Sequence, residues 1–121
     1  MTSDINRSRE EGGDDSGTVL CAASSYVQKY YLNPAFGKLP EGIRQELQIL
    51  CVSITEACGG TLMLKFAPDG ELLFQVNAED GDYLFDDIES GMQIARARRE
   101  HQELLEGLEL YYRVVFLGEK A

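Results

Sequence analysis

Apolar residues recur along the middle of the chain with the spacing of a helix. Between Pro40 and Gly60 they stand at i, i+4, i+7, i+8, i+11 and i+15, which places them on one helical face. They are Ile43, Leu47, Leu50, Cys51, Ile54 and Cys58. Pro40 suits the first turn of a helix, where its missing N–H leaves no hydrogen bond unmade, and the Gly59-Gly60 pair suits its end. The pattern predicts a helix from Pro40 to Cys58.

Two later stretches alternate apolar and polar positions with the period of a strand. They cover residues 61–66 and 71–76, and Pro68-Asp69-Gly70 between them is a tight-turn sequence. One face of this hairpin carries Leu62, Leu64, Phe66, Leu72, Phe74 and Val76, and the other carries Met63, Lys65, Leu73 and Gln75. The alternation predicts an antiparallel sheet that helices cover on one side.

Two more strands are expected before the helix, on either side of Ala23-Ser24-Ser25. The first includes Val19-Leu20-Cys21, and the second, residues 26–32, is rich in aromatic and β-branched residues. Neighbouring strand positions face opposite ways, so at least one of Tyr30 and Tyr31 should be exposed or at an edge.

Two helices are expected after the hairpin. Residues 79–89 hold six acids, and Asp82 is placed to cap a helix with apolar positions at Leu84, Phe85, Ile88 and Met92. A longer helix should follow from about Ala97 to Phe116. Its apolar stripe would contain Leu104, Leu105, Leu108, Tyr111, Tyr112 and Val115.

In order, these elements predict an α+β fold. We expect a single two-layer domain over residues 17–121, with the order β-β-α-β-β-α-α and a mainly antiparallel sheet covered by helices on one face. The helices should pack on it through Leu47, Leu50, Ile54, Leu104, Leu108 and Val115. Residues 1–16 hold five acids but little apolar surface, so we expect a disordered acidic tail there.

The charge balance narrows the classes of partner. Lys and Arg number 11 against 21 Asp and Glu, a net charge of -10. We therefore expect no nucleic acid and no membrane as partner, because both require clustered cations. The first residues lack the apolar segment of a signal peptide, and the three cysteines are odd in number. These features favour a cytoplasmic protein with reduced thiols.

The sequence contains no catalytic or metal-binding motif. His101 is the single histidine and no C-x-x-C pair occurs, which leaves too few ligands for zinc. A calcium loop with Gly81 as its glycine would place Val76 and Ala78 at ligand positions, and neither side chain has an oxygen. We therefore expect no catalytic residue, no metal and no cofactor.

Arg96, Arg98 and Arg99 form a cationic cluster near the start of the last predicted helix. The i, i+4 pairs Arg96–Glu100 and Arg99–Glu103 favour a salt-bridged exposed face. The alternative is an anion contact, because three arginines near a helix start can converge on one ligand. With His101 and a tyrosine, such a cluster would indicate a small-ligand-binding protein or a small enzyme.

A candidate interface lies on the sheet face away from the helices. Met63 and Leu73 should lie there, with Tyr30 and Tyr31 as aromatic neighbours, and twofold dimers are the commonest use of such a patch. The leading hypothesis is a non-enzymatic intracellular interaction or regulatory module with an unknown protein partner. The module itself would be a homodimer. A nucleic-acid mimic that titrates a basic protein is a third hypothesis, supported by net charge alone.

Several strings resemble a family of small bacterial proteins of unknown function, from anaerobic Gram-positive species. They are VLCAASSY at 19–26, KYYLN at 29–33, LP at 39–40 with ELQILCV at 46–52, LFDDI at 84–88 and LYYRVVFLGE at 110–119. The resemblance covers residues 18–119. It implies a cytoplasmic, bacterial, single-domain protein, and it implies no activity and no site residues.

Overall fold

The computed structural model describes residues 17–120. The elements are, in order, β1 (Thr18–Ser24), β2 (Lys29–Leu32), a 3-10 turn (Pro34–Phe36), α1 (Glu41–Cys58), β3 (Thr61–Phe66), β4 (Leu72–Asn77), α2 (Asp87–Glu100) and α3 (Gln102–Val115). The strands form one antiparallel sheet in the order β2-β1-β3-β4. The α+β class and the element order are confirmed. The predicted tail, residues 1–16, lies outside the described residues.

Helix α1 provides the centre of the core. Leu47, Cys51 and Ile54 are buried on it and belong to one hydrophobic core with Leu20 of β1 and Leu64 of β3. Full burial of an aliphatic side chain contributes about 1.5–3 kcal/mol, so this layer is a large part of the stability of the domain. The predicted helical face is therefore the face that packs on the sheet.

The β3–β4 hairpin has the predicted register. Leu62 pairs with Val76, Leu64 with Phe74 and Phe66 with Leu72, which puts all six on the helix-covered face. At the turn, Gly70 has a φ of 96° and its N–H donates to the carbonyl of residue 67. Only glycine adopts that backbone conformation without strain.

The first hairpin turns later than the sequence analysis placed it. Strand β1 runs on to Ser24, whose Oγ accepts hydrogen bonds from the N–H groups of Tyr26 and Val27. Gln28 closes the turn with a φ of 52°. Strand β2 therefore starts at Lys29 and not at residue 26, since the Ser24 hydroxyl gives the backbone a local alternative to strand pairing.

The expected long last helix is wrong in its boundaries. The chain is helical from Asp87, passes through Gly91, and breaks at His101, where φ is -115° and ψ is 29°. Ala97 is buried on the part before the break, and Leu105 is buried on the part after it. The break lets α2 pack on α1 while α3 packs on the sheet, which one straight helix could not do.

The predicted helix cap at Asp82 is also wrong. Helix α2 begins at Asp87, and Asp86 is its cap, with a side chain that accepts a hydrogen bond from the N–H of Glu89. The N–H of Asp86 donates to the carbonyl of Cys58 at 2.9 Å. This bond holds Asp86 in extended backbone, so the helix can start only after it.

A stack of aromatic rings fills the other end of the core. Ring centroids lie 4.3 Å apart for Phe66 and Tyr112, 5.6 Å for Phe36 and Phe66, and 4.7 Å for Phe36 and Phe116. Phe36, from the 3-10 turn, is fully buried, although the sequence analysis did not assign it to the core. It lies in a short segment with no periodicity, so no pattern marked it.

Val115 is not part of the core, contrary to the expected packing. On α3, Leu105, Leu108 and Tyr112 are buried, whereas Val115 is 57% exposed. Phe116, the next residue, stacks on Phe36 and Tyr112, with ring centroids 4.7 Å and 5.1 Å away. An aromatic ring suits that cluster, because its flat face matches the neighbouring rings.

These two α3 positions form a matched pair for a stability test. Leu108→Ala should lower the free energy of unfolding by about 2–5 kcal/mol, because it leaves a cavity between α3 and the sheet. Val115→Ala should change it by less than about 0.5 kcal/mol, because that side chain is exposed. Urea unfolding of both variants measures the difference, and similar losses would contradict the packing of α3.

Candidate functional site

The most exposed large apolar side chains of residues 17–120 lie just before and on α2. Tyr83, Leu84 and Ile88 are 96%, 92% and 77% exposed, and Met92, one turn after Ile88, is 60% exposed. We call these four residues the Tyr83–Met92 surface. The sequence pattern predicts Leu84, Ile88 and Met92 as apolar positions of one helix, and in the structure all three side chains are exposed. Exposed apolar clusters on small domains are characteristic of binding surfaces.

Ile88 and Met92 are exposed because α2 packs on α1 through its small side chains. Its buried residues are Ser90 and Ala97, and its main contact is with α1. Small side chains allow a close approach of the two helices. The large apolar side chains, Ile88 and Met92, are left on the outer side.

Tyr26 anchors the segment that carries Tyr83 and Leu84. Its hydroxyl donates a hydrogen bond to Asp82 Oδ2 and accepts one from the N–H of Glu79 at 2.9 Å. The other carboxylate oxygen of Asp82 accepts from the N–H of Leu84, also at 2.9 Å. The segment is therefore tied to the β1–β2 turn.

A second anchor follows directly. The Phe85 ring lies so close to Gly60 that a Cβ there would be 3.0 Å from it, and 2.5 Å from the carbonyl oxygen of Asn77. Gly60 also has a φ of 77°. With the bond from Asp86 to Cys58, these contacts hold the chain on both sides of Tyr83 and Leu84. Because the backbone of this segment is already held in place, binding of a partner there would cost little conformational entropy of the segment.

A cleft of about 910 Å³ opens beside Leu84, between the β1–β2 turn and the second half of α1. Tyr26, Tyr30, Val52 and Leu84 contribute apolar and aromatic walls, and the charged residues at its edge are Lys29, Glu56 and Asp82. The cleft and the Tyr83–Met92 surface thus share Leu84.

The electrostatics of this region are negative. The hydrogen bond from Tyr26 lowers the pKa of Asp82, and the same bond raises the pKa of the Tyr26 phenol. Asp82 is therefore ionised at neutral pH, and Tyr26 keeps its proton. Other exposed acids of the segment are Glu79, Asp80, Asp86 and Asp87.

The structure does not bring the three arginines together. Arg96 Nε pairs with Glu100 Oε2 at 3.0 Å, whereas the Arg98 guanidinium lies 4.7 Å from the centre of the Phe74 ring. Arg99 is exposed. Among the described residues, it forms no ion pair with Glu103. The helix break at His101 falls between them and removes the i, i+4 geometry.

Arg96 and His101 do line a common groove between α1 and α2, with a volume of about 400 Å³. His101 Nδ1 lies 3.1 Å from Glu46 Oε2 on α1. The hydrogen bond from Arg96 lowers the pKa of Glu100. Arg98 and Arg99 do not line this groove.

The candidate sheet interface is divided between two faces. Tyr31 is exposed and lies in one cross-strand row with Ala22 and Met63, on the face away from the helices. Tyr30 points the other way and packs against the core. Met63 and Leu73 are half-buried, and Lys65, which pairs with Leu73, is buried.

The cysteines belong to the core. All three are buried free thiols, and the Sγ atoms of Cys21 and Cys51 lie 3.7 Å apart. The hydrogen bond between them and burial raise the pKa of the Cys51 thiol.

Within residues 17–120, no group of three or more His, Cys, Asp or Glu side chains could hold a metal ion. In the same range, no helix combines the length and the apolar character that crossing a membrane requires.

A family model described as a family of unknown function (DUF6145) matches residues 17–120. The chain belongs to this family. The match confirms the predicted resemblance to a family without an assigned activity, while the bacterial source stays a prediction. No curated protein and no solved structure matches the DUF6145 chain.

The sequence patterns predict neither anchor of the candidate site. They place Tyr26 in a strand and Asp82 at a helix cap, whereas the two side chains bond to each other across 56 positions of sequence. Local patterns contain no information on such a pair. The available signal was the acidic run itself, which places Tyr83 and Leu84 in a strongly polar segment where core residues are rare.

Tyr26→Phe tests the first anchor. Without the phenol hydroxyl, the pKa of Asp82 should rise towards the ordinary aspartate value, and the amide of Glu79 should exchange faster with solvent. In the wild type, the stability from this bond is present above the ordinary aspartate pKa and is lost as the pH falls through the lowered pKa. The advantage of the wild type over the variant should thus shrink on acidification.

Carboxyl-detected NMR titration and hydrogen exchange measure these effects. Tyr31→Phe is the control. Tyr31 is exposed and lies on the sheet face away from the helices. An unchanged Asp82 pKa in Tyr26→Phe would show that the bond is not formed in solution.

Proposed function

We propose that this DUF6145 protein is a non-enzymatic interaction module that binds a protein partner through the Tyr83–Met92 surface. One observation carries the proposal. Tyr83 and Leu84 are almost fully exposed on a segment that is held on both sides by specific contacts. A flexible loop could fold such side chains away, whereas this segment presents them.

The energetics support the same surface. Covering an exposed aliphatic side chain contributes about 1.5–3 kcal/mol, so burial of Leu84 and Ile88 together contributes a large share of a micromolar affinity. Interfaces concentrate their binding energy in a few such central residues. The anchors at Tyr26 and Phe85 reduce the entropy that binding must offset.

A small-ligand-binding protein or small enzyme is the alternative, and the α1–α2 groove supports it. Arg96 and His101 both line the groove. Each already faces a carboxylate, Glu100 and Glu46 respectively, which offsets the charge offered to an anion. Shifts of the His101 ring signals on addition of inorganic phosphate would favour this alternative over the interaction module.

We also propose a cytoplasmic location in a bacterium. The buried free cysteines are suited to a reducing compartment, where thiols are not cross-linked. The strongly acidic composition favours a protein partner over nucleic acid or an anionic membrane.

Site-specific photocrosslinking in cells that naturally produce the chain tests the interaction module. A benzoylphenylalanine at position 84 or 88 should give discrete protein adducts, because both side chains are exposed. The same group at the exposed position 103 on α3 is the control and should give none. Absence of adducts at both 84 and 88 would overturn the proposal.

The open sheet face is proposed as a separate homodimer interface. Tyr31, Ala22 and Met63 form a continuous row there, and Leu73 lies in the next row. Light scattering at about 100 μM should give twice the monomer mass, and Met63→Lys/Leu73→Glu should give a monomer. A wild type that stays at 13.5 kDa removes the dimer, and a dimeric variant places the interface elsewhere.

A further inference from the structure

We infer that the partner segment of the Tyr83–Met92 surface is a basic amphipathic helix, which seats its apolar side chains on Leu84, Ile88 and the adjoining cleft. The inference rests on the proposed function and specifies the class of partner.

The charge around the Tyr83–Met92 surface is mainly negative, and Lys29 is the cation among the residues that line the adjoining cleft. Residues 79–89 carry six acids, and no Lys or Arg occurs between Lys65 and Arg96. The segment therefore contains no cation of its own to neutralise these carboxylates. Cationic side chains on a partner would face Glu79, Asp80 and Asp87, which are exposed. Such complementarity speeds association and disfavours acidic partners.

The shape of the region suits a helix. The cleft beside Leu84 has a volume of about 910 Å³ and is bounded by the β1–β2 turn on one side and α1 on the other. A helix about 10 Å across can insert its apolar stripe into such a groove. Leu84 lines the cleft, and Ile88 and Met92 are exposed on α2, which begins three residues after Leu84.

A second copy of the chain does not fit this surface. A twofold contact uses the same patch on both copies, so the acids of residues 79–89 from the two chains would be brought into one interface. Like charges brought together in this way oppose association. The acids that favour a basic helix therefore disfavour a homodimer at this site.

Peptide binding to the full-length chain tests the inference. Three fluorescent peptides of about 18 residues would be compared by anisotropy: a Leu/Lys amphipathic helix, its Leu/Glu counterpart, and a permuted Leu/Lys sequence without helical periodicity. We expect the first to bind, with an affinity that falls as salt rises from about 20 mM to about 300 mM. The other two should bind at least about tenfold more weakly.

Matched variants locate the binding. Leu84→Ser/Ile88→Ser should weaken the Leu/Lys peptide by at least about tenfold, because it removes the central apolar contact. Val115→Ser, also at an exposed apolar position but at the end of α3, should change the affinity by less than about twofold. Thermal unfolding would check that all variants are folded, as expected for substitutions of exposed side chains.

The charge contribution has its own pair of variants. Glu79→Gln/Asp80→Asn should weaken binding several-fold at low salt and reduce its salt dependence. Glu71→Gln/Glu103→Gln makes the same change in net charge at exposed positions outside the acidic segment and should have little effect. Equal losses in both pairs would show attraction by net charge alone and would overturn the inference.

The outcomes separate this inference from the proposed function. Equal binding of the Leu/Glu or the permuted peptide, or no binding of the Leu/Lys peptide, overturns the basic-helix partner. If adducts still form at position 84 or 88 in cells, the interaction module stands with a different partner. If adducts are absent at both positions as well, both proposals fail.

Discussion

The limited area of one sheet face determines the arrangement of this protein. Four strands about 4.8 Å apart offer a width of roughly 15–19 Å, which two helices about 10 Å across fill. Helices α1 and α3 occupy that face, as the burial of Leu47, Ile54 and Leu108 shows. Helix α2 must pack mainly on α1. The outer side of α2, with Ile88 and Met92, therefore does not pack against the core and stays exposed.

The same constraint explains the connections at both ends of α2. Before the helix, the chain must leave the sheet and reach the outside of α1, and the contacts of Asp86 with Cys58 and of Phe85 with Gly60 hold it on that path. After the helix, the break at His101 returns the chain to the sheet. The break also separates Arg99 on α2 from Glu103 on α3, so the i, i+4 geometry expected from the sequence is lost.

The candidate site combines rigid backbone with exposed apolar side chains. Tyr26 and Asp82 are far apart in sequence, and their bond joins the first hairpin to the acidic segment. That bond also lowers the pKa of Asp82, one of the six acids of residues 79–89. The pair that positions the segment therefore includes one of its negative charges.

The sequence by itself determined the elements with strong periodicity: α1, the β3–β4 hairpin with its register, and the α+β order. In these, one apolar face meets the core, so local spacing and tertiary burial agree. The spacing at Leu84, Ile88 and Met92 was equally apolar, but periodicity shows that a face exists and not what covers it. Only the tertiary structure decided that this face is exposed, that Phe36 is buried and that Val115 is not. Each of these outcomes depends on which elements compete for the single covered face of the sheet, and that competition is between residues far apart in the chain.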